Sequence, residues 1–335
     1  MLELSLISFS LFIIYLIDKN KGRIIKKIKI IDKPDKVRKL HKKPTPLLGG
    51  IMIFSSFLVI NLSLFFLHKL SKTSIIIFVC CIACLILGLI DDIKKISYKL
   101  KFLILIVIFY LFISLDPNLQ INKIYFGTFN KEFYFNYFSI PFTILCLLLF
   151  INSLNLIDGI DGLCILISII LLVWLIKIFK DSEPLYIVMI ISLFLILYFN
   201  LKKNIFLGNS GSLFIACLIG LNVILNYNME ILKIDYPVEN IFIAFMLPGL
   251  DMLRVFAERV FNKKNPFLAD RSHIHYLLLD KGLNLKKILT ILSMMILLPI
   301  IINQYEFFSQ IKIISIYIFL YSTLIICLKK FTIND

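Results

Sequence analysis

The chain has no glycine- or serine-rich linker and no repeat of fixed period, so flexibly tethered domains and solenoid architectures are excluded. Its seven cysteines, Cys80, Cys81, Cys84, Cys146, Cys164, Cys217 and Cys327, all lie in or beside apolar runs. None shows disulfide or metal-ligand spacing, and they read as packing residues. No basic segment precedes the first apolar run, which is followed by positive charge; it reads as a retained helix and not a cleaved signal. Carboxylates are scarce, 21 Asp and Glu against 36 Lys and Arg, for a formal net charge of +15. What the sequence has in excess is apolar surface: 60% of 335 residues are hydrophobic and the mean hydropathy is +0.94. A soluble domain cannot bury that much, so the expected class is an all-α polytopic membrane protein, a single integral domain over 1–335. In that class the basic excess reports topology, and no nucleic-acid partner is expected.

Apolar runs near 2–17, 47–67, 73–90, 100–115, 139–156, 162–179, 185–200, 210–226, 240–254, 286–303 and 310–328 predict about eleven transmembrane helices. Placing the loop 18–46 in the cytoplasm puts 28 of the 36 Lys and Arg on that side. The positive-inside rule then gives an outside N-terminus and a cytoplasmic C-terminus. The exterior loop 116–138 is aromatic and polar and carries no readable motif.

With this topology every cluster of chemically useful side chains faces the cytosol. "GLIDDIKK" puts Asp91 and Asp92 at the end of the third helix, and "NSLNLIDGIDGL" (152–163) forms the turn between the fifth and sixth. "FLGNSGSLF" opens the eighth, "LPGLDMLR" places Asp251 and Arg254 at the end of the ninth, "NPFLADRSHIHY" (265–276) lies in the next loop, and "HKKPTPLLGG" (41–50) leads into the second. Each has a plain structural reading. Asp91 and Lys95 are four apart and would pair on a helix. "PTPLLGG" would be a turn and a tight helix start. "GNSGS" would be an N-cap, or else a phosphate cradle at a helix N-terminus. His273 and His275 would be loop histidines, with too few neighbouring ligands for zinc. Their common side is what favours chemistry. Acids, amides, bases and helix N-termini on one surface suit a metal and a phosphorylated ligand, and phosphoryl transfer is the natural hypothesis.

In order, "HKKPTPLLGG", "GLIDD", "NSLNLIDGIDGL", "FLGNSGSLF" and "DMLR" to "DRSHIHY" resemble the bacterial polyprenyl-phosphate N-acetylhexosamine-1-phosphate transferases, a superfamily that also holds phospho-N-acetylmuramoyl-pentapeptide transferase. The likeness covers about 41–278, the expected catalytic region. It implies transfer of a sugar-1-phosphate from a UDP-sugar to undecaprenyl phosphate with release of UMP, at the cytoplasmic face of the bacterial inner membrane, in O-antigen, common-antigen or teichoic-acid synthesis. The implied partners are the UDP-sugar, undecaprenyl phosphate and the bilayer, with a homodimer admitted. The implied cofactor is Mg²⁺, with Mn²⁺ a substitute. The expected catalytic residues are Asp91, Asp92 and Asp158, and the expected metal ligands are Asn155 and Asn209. Substrate is expected at Asn152, Asp161, Lys95, Lys101, Gly208, Ser210, Arg271, His273 and His275.

Two positions depart from the family pattern: Asn209 stands where an Asp is usual, and Tyr276 replaces the last His of "HIHH". A phosphate monoester has its second pKa at about 6, so the lipid phosphate is mostly dianionic at neutral pH and needs little help from a base. Charge neutralisation and in-line positioning are expected to supply the acceleration. Two other classes stay open: a lipid-linked-sugar transporter or flippase, and an inactive scaffold for envelope assembly. Which sugar is carried is open too, with UDP-GlcNAc first and UDP-GalNAc or a 6-deoxy diamino sugar behind it.

Overall fold

The computed structural model describes residues 2–32, 44–178, 183–234, 236–266 and 271–330. His41, Lys42 and Lys43 of the entry motif, and 267–270 with Asp270, lie outside the described residues. Each apolar run is a helix: α1 (Leu2–Lys19), α3 (Gly49–Phe66), α4 (Lys72–Lys94), α5 (Tyr98–Ser114), α6 (Ser139–Ile157), α7 (Leu163–Ile178), α8 (Glu183–Leu201), α9 (Gly208–Ile234), α10 (Val238–Phe261), α12 (Leu285–Gln304) and α13 (Gln310–Lys330). The short helices α2 (Lys21–Ile28) and α11 (Ile274–Asp280) lie between them. Eight of the described helices, α3, α4, α6, α8, α9, α10, α12 and α13, are long and apolar enough to cross a membrane, and α7 is apolar but shorter. Large apolar side chains stand exposed along several of them, among them Phe65, Ile86, Phe194, Leu298 and Phe319. Water would not tolerate so much exposed hydrocarbon, whereas lipid tails solvate it. The chain is thus a mostly helical, multi-pass membrane protein.

Two short antiparallel ribbons interrupt the helices. One joins β1 (Ile31–Asp32) to β2 (Thr45–Pro46), and the other pairs β3 (Lys123–Phe126) with β4 (Lys131–Tyr134) in the register Phe126↔Lys131. The second lies in the loop that the sequence left without a motif. Its turn is held by a carboxylate: Gly127 and Thr128 donate their backbone N–H groups to buried Glu239 at 3.1 and 2.9 Å.

The chain folds as two compact units. The first comprises Met1–Ile121 and Tyr137–Asn226, and the second Asn122–Asn136 and Tyr227–Asp335. In the first unit α9 is the most enclosed helix, and Leu213, Phe214, Cys217, Leu218 and Leu221 on it are fully buried. The Cys80, Cys84 and Cys217 thiols lie within 4.8 Å of one another where α4 meets α9. Fully buried, they act there as small apolar packing groups. In the second unit α10, α12 and α13 pack together, with α11 against α12 and α13.

Candidate active site

In the first unit two segments, 46–50 and 206–207, are locked together through backbone. Gly49 and Gly50, opening α3, donate to the carbonyls of Phe206 and Leu207 at 3.0 and 3.2 Å, and Phe206 donates to the Pro46 carbonyl at 2.7 Å. "PTPLLGG" is therefore a clasp on the segment that opens α9, more than a turn. A Cβ at Gly50 would fall 2.6 Å from the backbone nitrogen of Gly211, and one at Gly88 of α4 would fall 2.4 Å from Ser210 Cα. Glycine at these positions is what lets α3 and α4 approach the start of α9 so closely.

Asp92 occupies that start. Its Oδ1 accepts from the Asn209 backbone N–H at 2.8 Å and from Asn209 Nδ2 at 3.1 Å, and its Oδ2 accepts from the Ser210 N–H at 3.0 Å. The anion at the α9 N-terminus is thus a carboxylate of the protein itself, which satisfies two orphan donors and meets the positive end of the helix dipole. Gly208 and Ser210, expected to contact substrate, bracket this cap. Gly208 has φ +77°, and a Cβ there would lie 2.7 Å from Asp92 Oδ2. The Ser210 hydroxyl is buried without a hydrogen-bond partner among the described residues.

Asp91 serves the turn after α4. Helix α4 stops where Lys95 adopts a left-handed φ of 52°, and Asp91 Oδ1 accepts from the Ile96 N–H at 2.8 Å. Ser97 then caps α5, accepting from the Leu100 N–H. This reversal brings Lys101 back over Asp91, with Nζ 2.9 Å from Oδ2. The i,i+4 partner offered by the sequence, Lys95, is exposed instead. Lys101 Nζ also donates to Asn209 Oδ1 at 3.3 Å and to Asn155 Oδ1 at 3.5 Å. Asn155 Nδ2 in turn donates to Asn209 Oδ1 at 2.9 Å and to Ser212 Oγ at 2.8 Å. The two amide oxygens expected to hold Mg²⁺ therefore converge on an ammonium. A divalent ion at that point would be pressed against a like charge, and as arranged these ligands do not fit it.

The rest of "NSLNLIDGIDGL" is less uniform. Asn152 turns its amide back to the Leu148 carbonyl at 2.6 Å, within its own helix and outside the Asn155–Asn209 network. Asp158 follows α6 as its C-cap. Burial, then the nearby carboxylates of Asp92 and Asp161, push its acid up to about 8. Asp161 is half-buried in the turn 158–162, beside Gly162 at φ +83°.

The second unit carries a separate buried polar network. Asp251 of α10 accepts from the Tyr321 hydroxyl at 2.8 Å and from Arg254 at 2.7 Å, and lies 2.8 Å from His273 Nδ1. The backbone N–H of Ile274 also points at its carboxylate. His273 Nε2 and both ring nitrogens of His275 are buried without a partner among the described residues. Burial drives the His275 ring pKa down to about 3, so this imidazole stays neutral. Arg271 pairs with Asp280 and lies 5.0 Å over the Tyr276 ring, so the tyrosine that departs from the family pattern supplies a cation–π face. Sequence reasoning noticed Asp251 and Arg254 and gave them no role. It read Ser212 only as a capping residue of "GNSGS" and missed Tyr321; a lone hydroxyl in an apolar helix carries no signal until its partner is known.

The comparisons bear on the first unit most directly. Residues 74–226 match the family model described as glycosyl transferase family 4. Over that segment the chain is similar to this family. The matched segment holds Asp91, Asp92, Lys101, Asn155, Asp158 and Asn209, and ends before the His273 loop. The chain is 28% identical over 282 residues to the probable undecaprenyl-phosphate N-acetylglucosaminyl 1-phosphate transferase of Bacillus subtilis (strain 168), covering 82% of this chain and 76% of the relative. It is 26% identical over 309 residues to the undecaprenyl-phosphate alpha-N-acetylglucosaminyl 1-phosphate transferase of Thermotoga maritima, covering 92% of this chain and 89% of the relative.

Proposed function

We propose that this chain is a glycosyl transferase of that family which transfers N-acetylhexosamine-1-phosphate, first of all GlcNAc-1-phosphate, from a UDP-sugar to undecaprenyl phosphate and releases UMP. The observation that carries the reading is the convergence of Asp91, Asp92, Lys101, Asn155 and Asn209. Residues from the end of α4, the start of α5, the end of α6 and the start of α9 meet in one hydrogen-bonded network. The names of the two relatives support both the acceptor and the class of transfer.

In this mechanism the lipid phosphate attacks as a dianion and UMP departs as an anion, so neither general base nor general acid is central. Asp92 acts on structure, fixing the start of α9 and with it Asn209. Asp91 holds Lys101, and the Lys101 ammonium offsets charge on the diphosphate as it is displaced in line. Burial and the neighbouring carboxylates raise the Asp158 acid to about 8. The strongly asymmetric placement of Lys and Arg supports eleven crossings, an outside N-terminus and this site at the cytoplasmic face.

The test is purified protein with undecaprenyl phosphate, Mg²⁺ and a panel of UDP-sugars, followed by UMP release and the mass of the lipid product. A lipid heavier by one phosphosugar, formed with UMP, is expected. Sugar uptake by vesicles without UMP would replace the reading with transport, and silence across the panel would favour the scaffold.

A further inference from the structure

The ammonium of Lys101 has three N–H donors, and three oxygens stand around it, from Asp91 at 2.9 Å, Asn209 at 3.3 Å and Asn155 at 3.5 Å. The orientation of both amides is set by other neighbours. Asn209 must turn its NH₂ toward Asp92, because a carboxylate only accepts, and this leaves Oδ1 facing Lys101. Asn155 spends its NH₂ on Asn209 Oδ1 and Ser212 Oγ, so its Oδ1 faces the same way. The charges also match. Asp91 and Lys101 form one neutral pair in a largely buried place, and Asn209 contributes an oxygen without a charge. A divalent ion, by contrast, favours carboxylate oxygens and would need Lys101 to leave.

We propose that Lys101 is the resident cation of this pocket: its ammonium, and not a divalent ion, holds the Asn155 and Asn209 amide oxygens and meets the diphosphate of the donor. The inference rests on the transferase reading for the identity of the diphosphate. The arrangement of the cation does not need it, so Mn²⁺ binding in the absence of donor and acceptor tests the two separately.

The experiment titrates Mn²⁺ into the purified full-length protein and follows the free-ion signal by electron paramagnetic resonance. The wild-type protein is expected to take up no stoichiometric Mn²⁺ through this pocket. Any binding it shows should be unchanged in Asn155→Ala and Asn209→Ala. The double variant Lys101→Met/Asn209→Asp, checked for a monodisperse elution profile, exchanges the ammonium for a carboxylate and should gain affinity on the order of tenfold or more. A wild-type site whose affinity falls on the order of tenfold in Asn155→Ala or Asn209→Ala overturns the proposal. So does a well-folded double variant that gains nothing. The wild-type and alanine measurements decide the matter even where the double variant fails to fold.

Discussion

Asp92→Asn separates a structural anchor from a base. The native carboxylate accepts three hydrogen bonds at the start of α9, two from backbone N–H groups and one from the Asn209 amide. An asparagine keeps the two on Oδ1 and turns an NH₂ toward the Ser210 N–H, so one charge-assisted bond becomes a pair of opposed donors. Bonds to charged groups contribute roughly 1.5–3 kcal/mol. Losing the negative charge at the helix N-terminus adds about 1 kcal/mol more. A total of about 2.5–4 kcal/mol lowers the population of the docked α9 start by a factor of roughly 60 to 700. In detergent, Asp92→Asn should show both a lower thermal midpoint and a loss of UMP release that is flat from pH 6 to pH 9 by this argument. Unchanged thermal stability with activity recovering at high pH would refute it and make Asp92 a proton acceptor.

Three further outcomes follow from the same geometry. Gly208→Ala puts a Cβ 2.7 Å from Asp92 Oδ2 at a φ of +77°, so it should cost about 1–3 kcal/mol in chemical or thermal unfolding, and addition of Asp92→Asn should cost less than the sum of the two. The Asp158 acid is raised to about 8 from its ordinary 3.8. Its contribution to stability is full below the ordinary value and is lost as pH rises through the folded one, so Asp158→Asn should flatten the decline in thermal midpoint between those two pH values. Asp251→Asn uncouples a carboxylate shared by His273, Arg254 and Tyr321. Breaking one partner of a buried charge network costs about 3–5 kcal/mol, which a denaturant titration of the detergent-solubilised protein would read, and Asp251→Glu should recover part of it.

The apolar runs were legible because a bilayer imposes a length and a composition that no folding context overrides. Each run is a helix, and the polar motifs sit at helix ends, where the backbone has unsatisfied groups and a charge can escape the hydrocarbon. The ribbon at 123–134 was not legible. Its register depends on a turn pinned by Glu239, more than a hundred residues away. "PTPLLGG" could be read as a turn from its prolines and glycines, but its role as a clasp on 206–211 appears only when the two backbones are side by side.

The sequence by itself determined the membrane class, the helical segments and the set of polar residues from which a site must be built, because these follow from local hydropathy, spacing and residue chemistry. Only the tertiary structure decided who pairs with whom. Asp91 takes Lys101 rather than Lys95, Asp92 caps a helix that begins more than a hundred residues later, and Asn155 and Asn209 turn their oxygens to an ammonium. Hydrogen bonds and ion pairs act over a few ångströms, so their partners are chosen by how α4, α5, α6 and α9 come together, which no local pattern encodes.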